Sequence, residues 1–239
     1  MQYLNFQLYG MLASWGEQAV GESRHSATHP SRSAILGLLA AALGIKREEE
    51  EDLQRLSNSV FMGFKVLHNG SLLKDYHTIQ IPDEDKKARH YHTRRDELRS
   101  PDLGTVLSSR EYRQDALSLA SVCLQEGSDY TLQALRQALK QPVFQLYLGR
   151  KSCPLSLPLN PGIIEADSFK AALDLYPLVN LELGMETITY YWEKTPNSGI
   201  ENYSYRVPRY DQPLNRKHWQ FSPREEYVLL ATGVGKSCI

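Results

Sequence analysis

Residues 147–154 combine a glycine, two adjacent cations and a hydroxyl group, which together suit the binding of a phosphate. The segment reads Tyr147, Leu148, Gly149, Arg150, Lys151, Ser152, Cys153 and Pro154. Glycine lets a ligand approach the main chain closely, and the neighbouring cations bring positive charge to that exposed backbone. The proline stops the segment from continuing as a helix. The pattern therefore predicts a phosphate-binding loop, and the alternative is a surface turn with two solvated charges.

The start of a predicted helix offers a second anion site. Ser31, Arg32 and Ser33 precede an apolar run that a glycine ends, so we predict a buried helix over residues 34–43 with a serine cap and a glycine stop. The free N–H groups of the first turn and the positive end of the helix dipole would favour an anion beside Arg32 and Arg24. The alternative is a well-capped core helix with no ligand.

The tract from Lys86 to Arg99 holds six Lys and Arg residues, Arg94 and Arg95 among them, against two acids. It has too few apolar residues to join a core, so it must project between the strand-like runs that flank it. Facing RNA, it would gain from neutralising phosphates. Trp15, after the first strand, would stack on a base, although a Trp there packs in a core more often. The alternative for the tract is a solvated loop.

The elements that must position these residues follow a definite order. Residues 3–9 alternate with a period of two, which predicts a strand with Leu4, Phe6 and Leu8 facing a core. An Asn-Gly pair at residues 69–70 predicts a hairpin between two strand-like runs. The two runs that this hairpin would join are strands at residues 60–67 and 72–80. A further strand is expected at residues 116–124 and a helix at residues 131–139. This order predicts an α+β, ferredoxin-like unit with an insertion.

Beyond residue 160 the pattern changes to short strands separated by Pro, Asn and Gly. The expected elements are a helix at residues 166–176 and strands at residues 186–193, 202–207 and 227–231. We therefore predict two domains, residues 1–160 and a smaller β-rich C-terminal lobe over residues 161–239. Tyr191, Trp192 and Trp219 are expected to pack the second of them.

Composition excludes several classes of protein. The 239 residues carry a formal net charge of −1, so nucleic-acid binding would have to come from uneven charge distribution. Three widely spaced cysteines argue against a disulfide framework or a zinc cluster and fit a reducing cytosol. The first residues lack the pattern of a signal peptide, and no stretch has the ~18 apolar residues of a membrane span. We expect a cytoplasmic protein with no metal or cofactor.

Five segments, in order along the chain, carry a resemblance to a known family. They read GMLASWG (10–16), PSRSAILGLL (30–39), DYHT (75–78), REY (110–112) and YLGRKSCP (147–154). On these segments the chain resembles the CasD family, the subunits of type I-E CRISPR Cascade complexes that hold the 5′ end of the guide RNA. The match is loose beyond residue 154. The resemblance implies an RRM-like core of the RAMP type with a protruding β-hairpin thumb at about residues 79–109.

The resemblance also implies a function, a set of partners and a set of site residues. The implied protein is a non-catalytic subunit that binds and caps the 5′ handle of the crRNA, beside the repeated backbone subunit CasC, the large subunit CasA and the target DNA. The residues expected to bind RNA are Trp15, Arg24, His25, Ser31, Arg32, Ser33, Tyr76, His77, Arg94, Arg95, Arg110, Tyr112, Tyr147, Gly149, Arg150, Lys151 and Ser152.

Three alternatives to an RNA clamp stay open. A related branch in type I-C systems is a metal-independent endoribonuclease that processes precursor crRNA, which requires a general base and a general acid. His25, His29, His77, His90 and His92 would be candidates. No His, Tyr and Lys cluster has a spacing that supports cleavage, so we predict no catalytic residues. A scaffold without RNA contact would leave the basic tract unexplained, and a DNA-binding module lacks a helix-turn-helix or zinc spacing.

Overall fold

The computed structural model describes residues 1–17, 19, 21–82, 91–100, 102–178, 188–195, 198–215, 218 and 220–231. Its helices are α1 Arg32–Leu43, α2 Glu50–Ser59, α3 Arg94–Glu97, α4 Leu132–Lys140 and α5 Phe169–Leu175. Its strands are β1 Gln2–Tyr9, β2 Leu12–Ala13, β3 Ser23–Arg24, β4 Val60–His68, β5 Ser71–Pro82, β6 Leu103–Gln114, β7 Leu117–Leu124, β8 Gly162–Glu165, β9 Thr189–Glu193, β10 Tyr205–Asn215 and β11 Gln220–Leu230.

A seven-stranded sheet organises the fold, with the order β10-β11-β9-β4-β7-β1-β8. Every neighbouring pair in this sheet is antiparallel. The predicted strand at residues 3–9 is confirmed, and Leu4, Phe6 and Leu8 are at most 1% exposed. Tyr3, on the other face of β1, is buried as well, with its ring 5.1 Å from that of Phe169. The central strands therefore face a hydrophobic core on each side.

Helices cover both faces of this sheet. α1 and α4 pack together on one face, and α5 packs across β4, β7 and β1 on the other. The predicted serine cap and glycine stop of α1 are confirmed, because the Ser31 side chain accepts a hydrogen bond from the Ala34 N–H and Gly44 ends the helix with φ +84°. The helix begins at Arg32, two residues before the predicted start. Thr131 caps α4 in the same way. These are local signals, since a hydroxyl cap satisfies a free N–H group and a glycine takes the left-handed conformation without strain.

The hairpin expected at residues 69–70 does not form. β4 pairs with β7 and β9, whereas β5 pairs with β6 in a second, four-stranded sheet. Gly70, at φ +69°, redirects the chain from one sheet to the other, and a Cβ there would lie 2.3 Å from the Gln114 carbonyl oxygen. Glycine is therefore required at residue 70, because the backbone is left-handed and closely packed where the chain passes from one sheet to the other. It does not mark a turn between two paired strands.

β5 and β6 form a long two-stranded hairpin. Their register runs from Ser71 opposite Gln114 to Pro82 opposite Leu103. The excursion therefore begins closer to the core than the expected residues 79–109. Exposed apolar side chains lie along it, namely Leu72, Leu73, Tyr76, Ile79, Ile81 and Val106. Of the basic tract, Lys86, Lys87, Arg89 and His90 lie outside the described residues, and Arg94 and Arg95 belong to α3.

The C-terminal third, expected as a smaller β-rich lobe, adds strands to the main sheet. β8 pairs with β1, β9 pairs with β4, and the β10–β11 hairpin continues from β9. The reason is that β4 and β1 each pair with β7 along one edge and leave the opposite edge open to later strands. Trp192 is buried and stacks on Tyr227 at 5.8 Å. Trp219 and residues 186–187 of the expected strand lie outside the described residues.

Candidate nucleic-acid interface

A cleft of about 840 Å³ lies between α1, residues 145–149 and the β10–β11 hairpin. Clefts of roughly 300–1,000 Å³ are typical of ligand sites. Five of the predicted site residues line it, namely Arg24, Ser31, Ser33, Tyr147 and Gly149. Segments far apart in the sequence therefore meet at one surface.

The acids that line this cleft are paired with arginines of the fold. Arg24 and Arg47 are exposed at the rim. The two acids of the lining are Glu17 and Asp211, and other arginines pair with both of them. Glu17 accepts a hydrogen bond from Arg209 at 2.8 Å. The cleft therefore presents a positive rim to a ligand.

The N-terminus of α1 already holds an anion from the chain itself. An Asp211 side-chain oxygen, Oδ2, accepts a hydrogen bond from the backbone N–H of Arg32 at 2.7 Å. This carboxylate occupies the position at which a phosphate was expected. The expectation for this site is corrected, because the anion at the helix start is Asp211, about 180 residues away in the sequence.

Arg32 is buried and takes no part in the cleft. Its guanidinium pairs with Glu193 at 2.7 Å and donates to the Ser57 hydroxyl, the Ser57 carbonyl and the Val60 carbonyl. Its side chain is 5% exposed. Sequence analysis placed Arg32 among the RNA-binding residues because it is a cation beside a helix start. The structure corrects this, since the side chain points into a buried polar cluster.

A chain of buried charges continues from Asp211 to His29. Arg224 donates to Asp211 at 2.6 and 3.0 Å and to Glu226 at 2.6 Å, and the other Glu226 oxygen lies 2.8 Å from the His29 ring nitrogen Nε2. The His29 ring stacks on that of Tyr191 at 3.7 Å. Burial by itself would raise the pKa of Glu226, but His29, Arg224 and Arg209 outweigh it and lower that pKa to about 2. We call His29, Arg32, Glu193, Asp211, Arg224 and Glu226 the buried charge cluster.

Residue 149 is a glycine because another segment of backbone packs directly against it. Its φ is +83°, and a Cβ there would lie 1.8 Å from the Ser14 carbonyl oxygen. The Ser14 N–H donates to the Leu148 carbonyl at 3.1 Å, and Tyr147 and Pro154 form a β-bridge. Only glycine fits this close approach of two backbone segments. The glycine is therefore explained by its contact with the Ser14 backbone and not by a bound phosphate. The loop lines the cleft through Tyr147.

The two cations of the loop are placed differently. The Arg150 guanidinium lies over the ring of buried Tyr112, 5.0 Å from its centroid. Lys151 and Ser152 are exposed. A guanidinium on an aromatic face is held by a cation–π contact, so Arg150 fixes the base of the loop and Lys151 is left at the surface. Neither Lys151 nor Ser152 lines the cleft.

Trp15 packs inside the main core. Its side chain is 2% exposed and belongs to the cluster that α1 covers. The indole is therefore not available to stack on a base, and the packing alternative describes its position. Tyr112, at 6% exposed, is likewise covered.

The remaining predicted residues lie on the hairpin or beside its base. Tyr76 is 63% exposed on β5, and the His77 ring nitrogen Nε2 is hydrogen-bonded to the Asp75 carboxylate. Arg94 pairs with Glu97 at 2.6 Å in α3, and Arg95 is exposed. Arg110 is half-buried opposite Asp75 in the β5–β6 register. These residues do not line the cleft, so the predicted set divides between two surfaces.

His25 and Glu111 form a pair at the base of the hairpin. The His25 ring nitrogen Nδ1 lies 3.1 Å from a Glu111 carboxylate oxygen, and the other Glu111 oxygen accepts from the Ser26 N–H at 3.2 Å. Burial would raise the pKa of Glu111, but the hydrogen bonds from His25 and Ser26 and the charge of Lys74 lower it overall. The pair ties the loop before α1 to β6.

Sequence reasoning missed Arg47, Tyr210 and Phe221, which also line the cleft. Arg47 was visible as a cation shortly after a predicted helix. Tyr210 was visible within a run of alternating residues that the structure assigns to β10. Nothing local indicated that β10 would return to the start of α1.

The described part of the chain contains neither a metal-binding cluster nor a membrane-spanning helix. No group of three or more His, Cys, Asp or Glu side chains there is arranged to hold a metal ion. No helix of that part has both the length and the apolar character to cross a membrane.

Comparison with known proteins identifies the class. The family model for CRISPR-associated protein (Cas_Cas5) matches residues 3–226, and the chain belongs to this family. The Escherichia coli (strain K12) protein "CRISPR system Cascade subunit CasD" is 30% identical over 236 residues, covering 95% of both chains. A chain of a solved "CRISPR RNA-guided surveillance complex" superposes with a TM-score of 0.67 at 26% identity, over 99% of this chain and 95% of that one. A solved Cas protein gives a TM-score of 0.63 at 30% identity, over 95% of each chain.

Proposed function

We propose that this chain is a CasD-type subunit of a type I-E CRISPR surveillance complex that binds and caps the 5′ handle of the crRNA without cutting it. Family membership and the full-length similarity to a Cascade subunit support the assignment. The observation that carries the RNA site is the cleft itself. It joins exposed Arg24 and Arg47 with Tyr147 on one concave surface whose acids are paired elsewhere.

The proposal includes a finer description of the fold. The four strands β8-β1-β7-β4, with α1 and α4 as connections, would be the ferredoxin-like core of the RAMP type. Their antiparallel order supports this, because it is the order that a split βαβ unit produces. The β5–β6 hairpin would be the thumb. The proposed domain boundary near residue 160 then separates that core from strands that complete the same sheet.

The hairpin is proposed to contact the neighbouring CasC subunit and the guide RNA. Its exposed Tyr76 and Ile79 support a protein contact, since apolar side chains on a projecting ribbon otherwise face water. Arg94 and Arg95 near its tip would attract the RNA backbone. CasA and the target DNA would lie close to the subunit in the assembled complex.

Binding of the handle is tested by co-purification. A tagged chain, produced with its partner subunits and a repeat-containing RNA, is expected to retain the processed RNA. The double variant Arg24→Ala and Arg47→Ala, which removes both arginines of the cleft lining, is expected to retain less RNA and to lower the slope of log affinity against log salt concentration, because each phosphate contact on a single strand contributes roughly 0.7 to that slope. Arg206→Ala is the matched control, since this exposed arginine pairs with Glu225 and does not line the cleft. Equal retention by all three proteins would reject the cleft as the RNA site.

The absence of cleavage is a separate test. Purified chain incubated with repeat RNA in the presence of a chelator is expected to leave the RNA intact. The full-length similarity to a Cascade subunit and to a chain of a surveillance complex supports this expectation. Cleavage that His77→Ala abolishes would replace the clamp with the endoribonuclease of the type I-C alternative.

A further inference from the structure

Tyr210 is an exposed aromatic side chain with no part in either hydrophobic core. It lies on β10 and is 56% exposed. It lines the 840 Å³ cleft, and it also lines a second hollow of about 280 Å³ that includes Pro208 and Arg209. Gly16, Glu17 and Asp211 line both hollows as well, so the two hollows adjoin at Tyr210.

The wall of the cleft formed by α1 is apolar and shallow. Ala34, Gly37 and Ala41 line it together with Leu38. Small side chains of this kind leave room for a flat ring between the helix and β10. Tyr147, which is 39% exposed, lies on the third wall, formed by residues 145–149. The cleft thus offers aromatic and apolar surfaces to the flat faces of a base.

The polar groups of the cleft are arranged for a negatively charged strand. Asp211, next to Tyr210, is bonded to Arg224 and to the first N–H of α1, so its charge is compensated within the fold. Arg24 and Arg47 lie at the rim. A nucleotide with its phosphate at the rim and its base inside would meet positive charge outside and apolar surface within.

We propose that Tyr210 stacks on one unpaired base of the RNA held in this cleft. The inference rests on the proposed function and deepens it, because it assigns a base-binding role to the C-terminal hairpin, which the five resembling segments do not include. Stacking is tolerant of base identity, since every base has a flat π face. Tyr210 therefore fixes the position of a nucleotide and leaves its identity to other contacts.

The experiment uses the complex reconstituted from the full chain, its partner subunits and guide RNA with 2-aminopurine at each handle position in turn. Stacking quenches this fluorescent base. In the wild-type complex one position is expected to be quenched, and Tyr210→Ala is expected to restore its emission while the RNA stays bound. Tyr210→Phe keeps the ring and is expected to keep the quenching. Tyr205→Ala, at a 45% exposed tyrosine of the same strand outside the cleft, is the matched control.

A second measurement is the affinity of the full chain for a single-stranded RNA of the handle sequence. Loss of one base–aromatic stack is expected to weaken it about fivefold to 150-fold in Tyr210→Ala and to leave Tyr205→Ala unchanged. Unchanged emission at every position in Tyr210→Ala, with unchanged affinity, would overturn the inference while RNA binding stood. A wild-type complex that retains no RNA would overturn the proposed function and the inference with it.

Discussion

The buried charge cluster and the rim of the cleft contain the same types of residue and use them in opposite ways. In the cluster, Arg32 and Arg224 are almost covered, and carboxylates and carbonyl oxygens surround them. At the rim, Arg24 and Arg47 are exposed beside a concave surface. A buried charge must be paired or its desolvation is not compensated, whereas an exposed charge keeps its hydration and can attract a ligand.

This contrast shows why the number of arginines near a predicted site says little about binding. Arg24 and Arg32 are eight positions apart and both precede or begin α1. Arg24 is exposed and lines the cleft, whereas Arg32 is buried and pairs with Glu193 in the buried charge cluster. Burial and partners, which depend on the C-terminal strands, decide which role each takes. Substituting one buried and one exposed residue, and comparing the effects on stability and on RNA binding, tests this difference.

The largest effect is expected for Arg32→Ala. Removing this guanidinium leaves Glu193 buried without its cation, and the loss of one partner of a buried ion pair costs about 3–5 kcal/mol. Urea unfolding of the purified chain measures the free energy of unfolding. Arg24→Ala is the matched control and is expected to change it by less than about 0.5 kcal/mol. If both substitutions lowered the free energy of unfolding equally, the proposed difference between the buried charge cluster and the rim would be wrong.

A somewhat smaller effect is expected for Gly149→Ala. The new methyl group would meet the Ser14 carbonyl, and an alanine at φ +83° is strained in addition, which costs about 1–3 kcal/mol for the backbone alone. Gly127→Ala is the control, since Gly127 has φ +77° but no atom within 4 Å of a Cβ. The difference between the two unfolding free energies isolates the contact with Ser14. If Gly149→Ala destabilised the chain no more than Gly127→Ala does, that contact would not constrain the loop.

The pH dependence of stability tests the cluster without disrupting its shape. The pKa of Glu226 is lowered from 4.5 to about 2 in the folded chain. A lowered pKa means that this carboxylate stabilises the fold fully above about pH 4.5 and loses that contribution as the pH falls towards 2. The stability difference between the wild type and Glu226→Gln, from urea unfolding at each pH, should shrink over this range. Glu193, whose pKa burial raises, is present in both proteins, so its effect largely cancels. A constant difference would contradict the assignment.

The smallest effect on stability, and a clear one on binding, is expected for Lys151→Ala. This exposed side chain makes the loop more positive without packing into the fold. Stability is expected to change by less than about 0.5 kcal/mol. The slope of log affinity for RNA against log salt concentration should fall in magnitude by roughly 0.7 if one phosphate contact is lost. An unchanged slope would show that Lys151 makes no phosphate contact.

The sequence allowed prediction of those features whose causes are local. Ser31 and Gly44 mark the ends of α1 because a cap and a left-handed glycine act within one turn of helix. The main strand pattern of β1 was also readable, since Leu4, Phe6 and Leu8 alternate with other side chains. The family resemblance gave the class of protein, and the matched family model confirmed it.

Features that join distant segments could not be predicted in this way. Nothing near residue 32 indicates that Asp211 will occupy the start of α1, and nothing near residue 149 indicates that Ser14 will press against its backbone. The same limit explains the unformed hairpin at residues 69–70, where the partner of β5 lies beyond a long excursion. Charge and glycine are local signals, whereas exposure and contact are properties of the whole fold.

The position of β1 in the sheet has a consequence for the chain as it leaves the ribosome. β1 pairs with β7 and β8, at residues 117–124 and 162–165. At about 5–20 residues per second, an apolar strand waits many seconds before either neighbour has been synthesised. Nascent chains paused before residue 117 should therefore expose Leu4 and Phe6 to chaperones, and those extended past residue 165 should not.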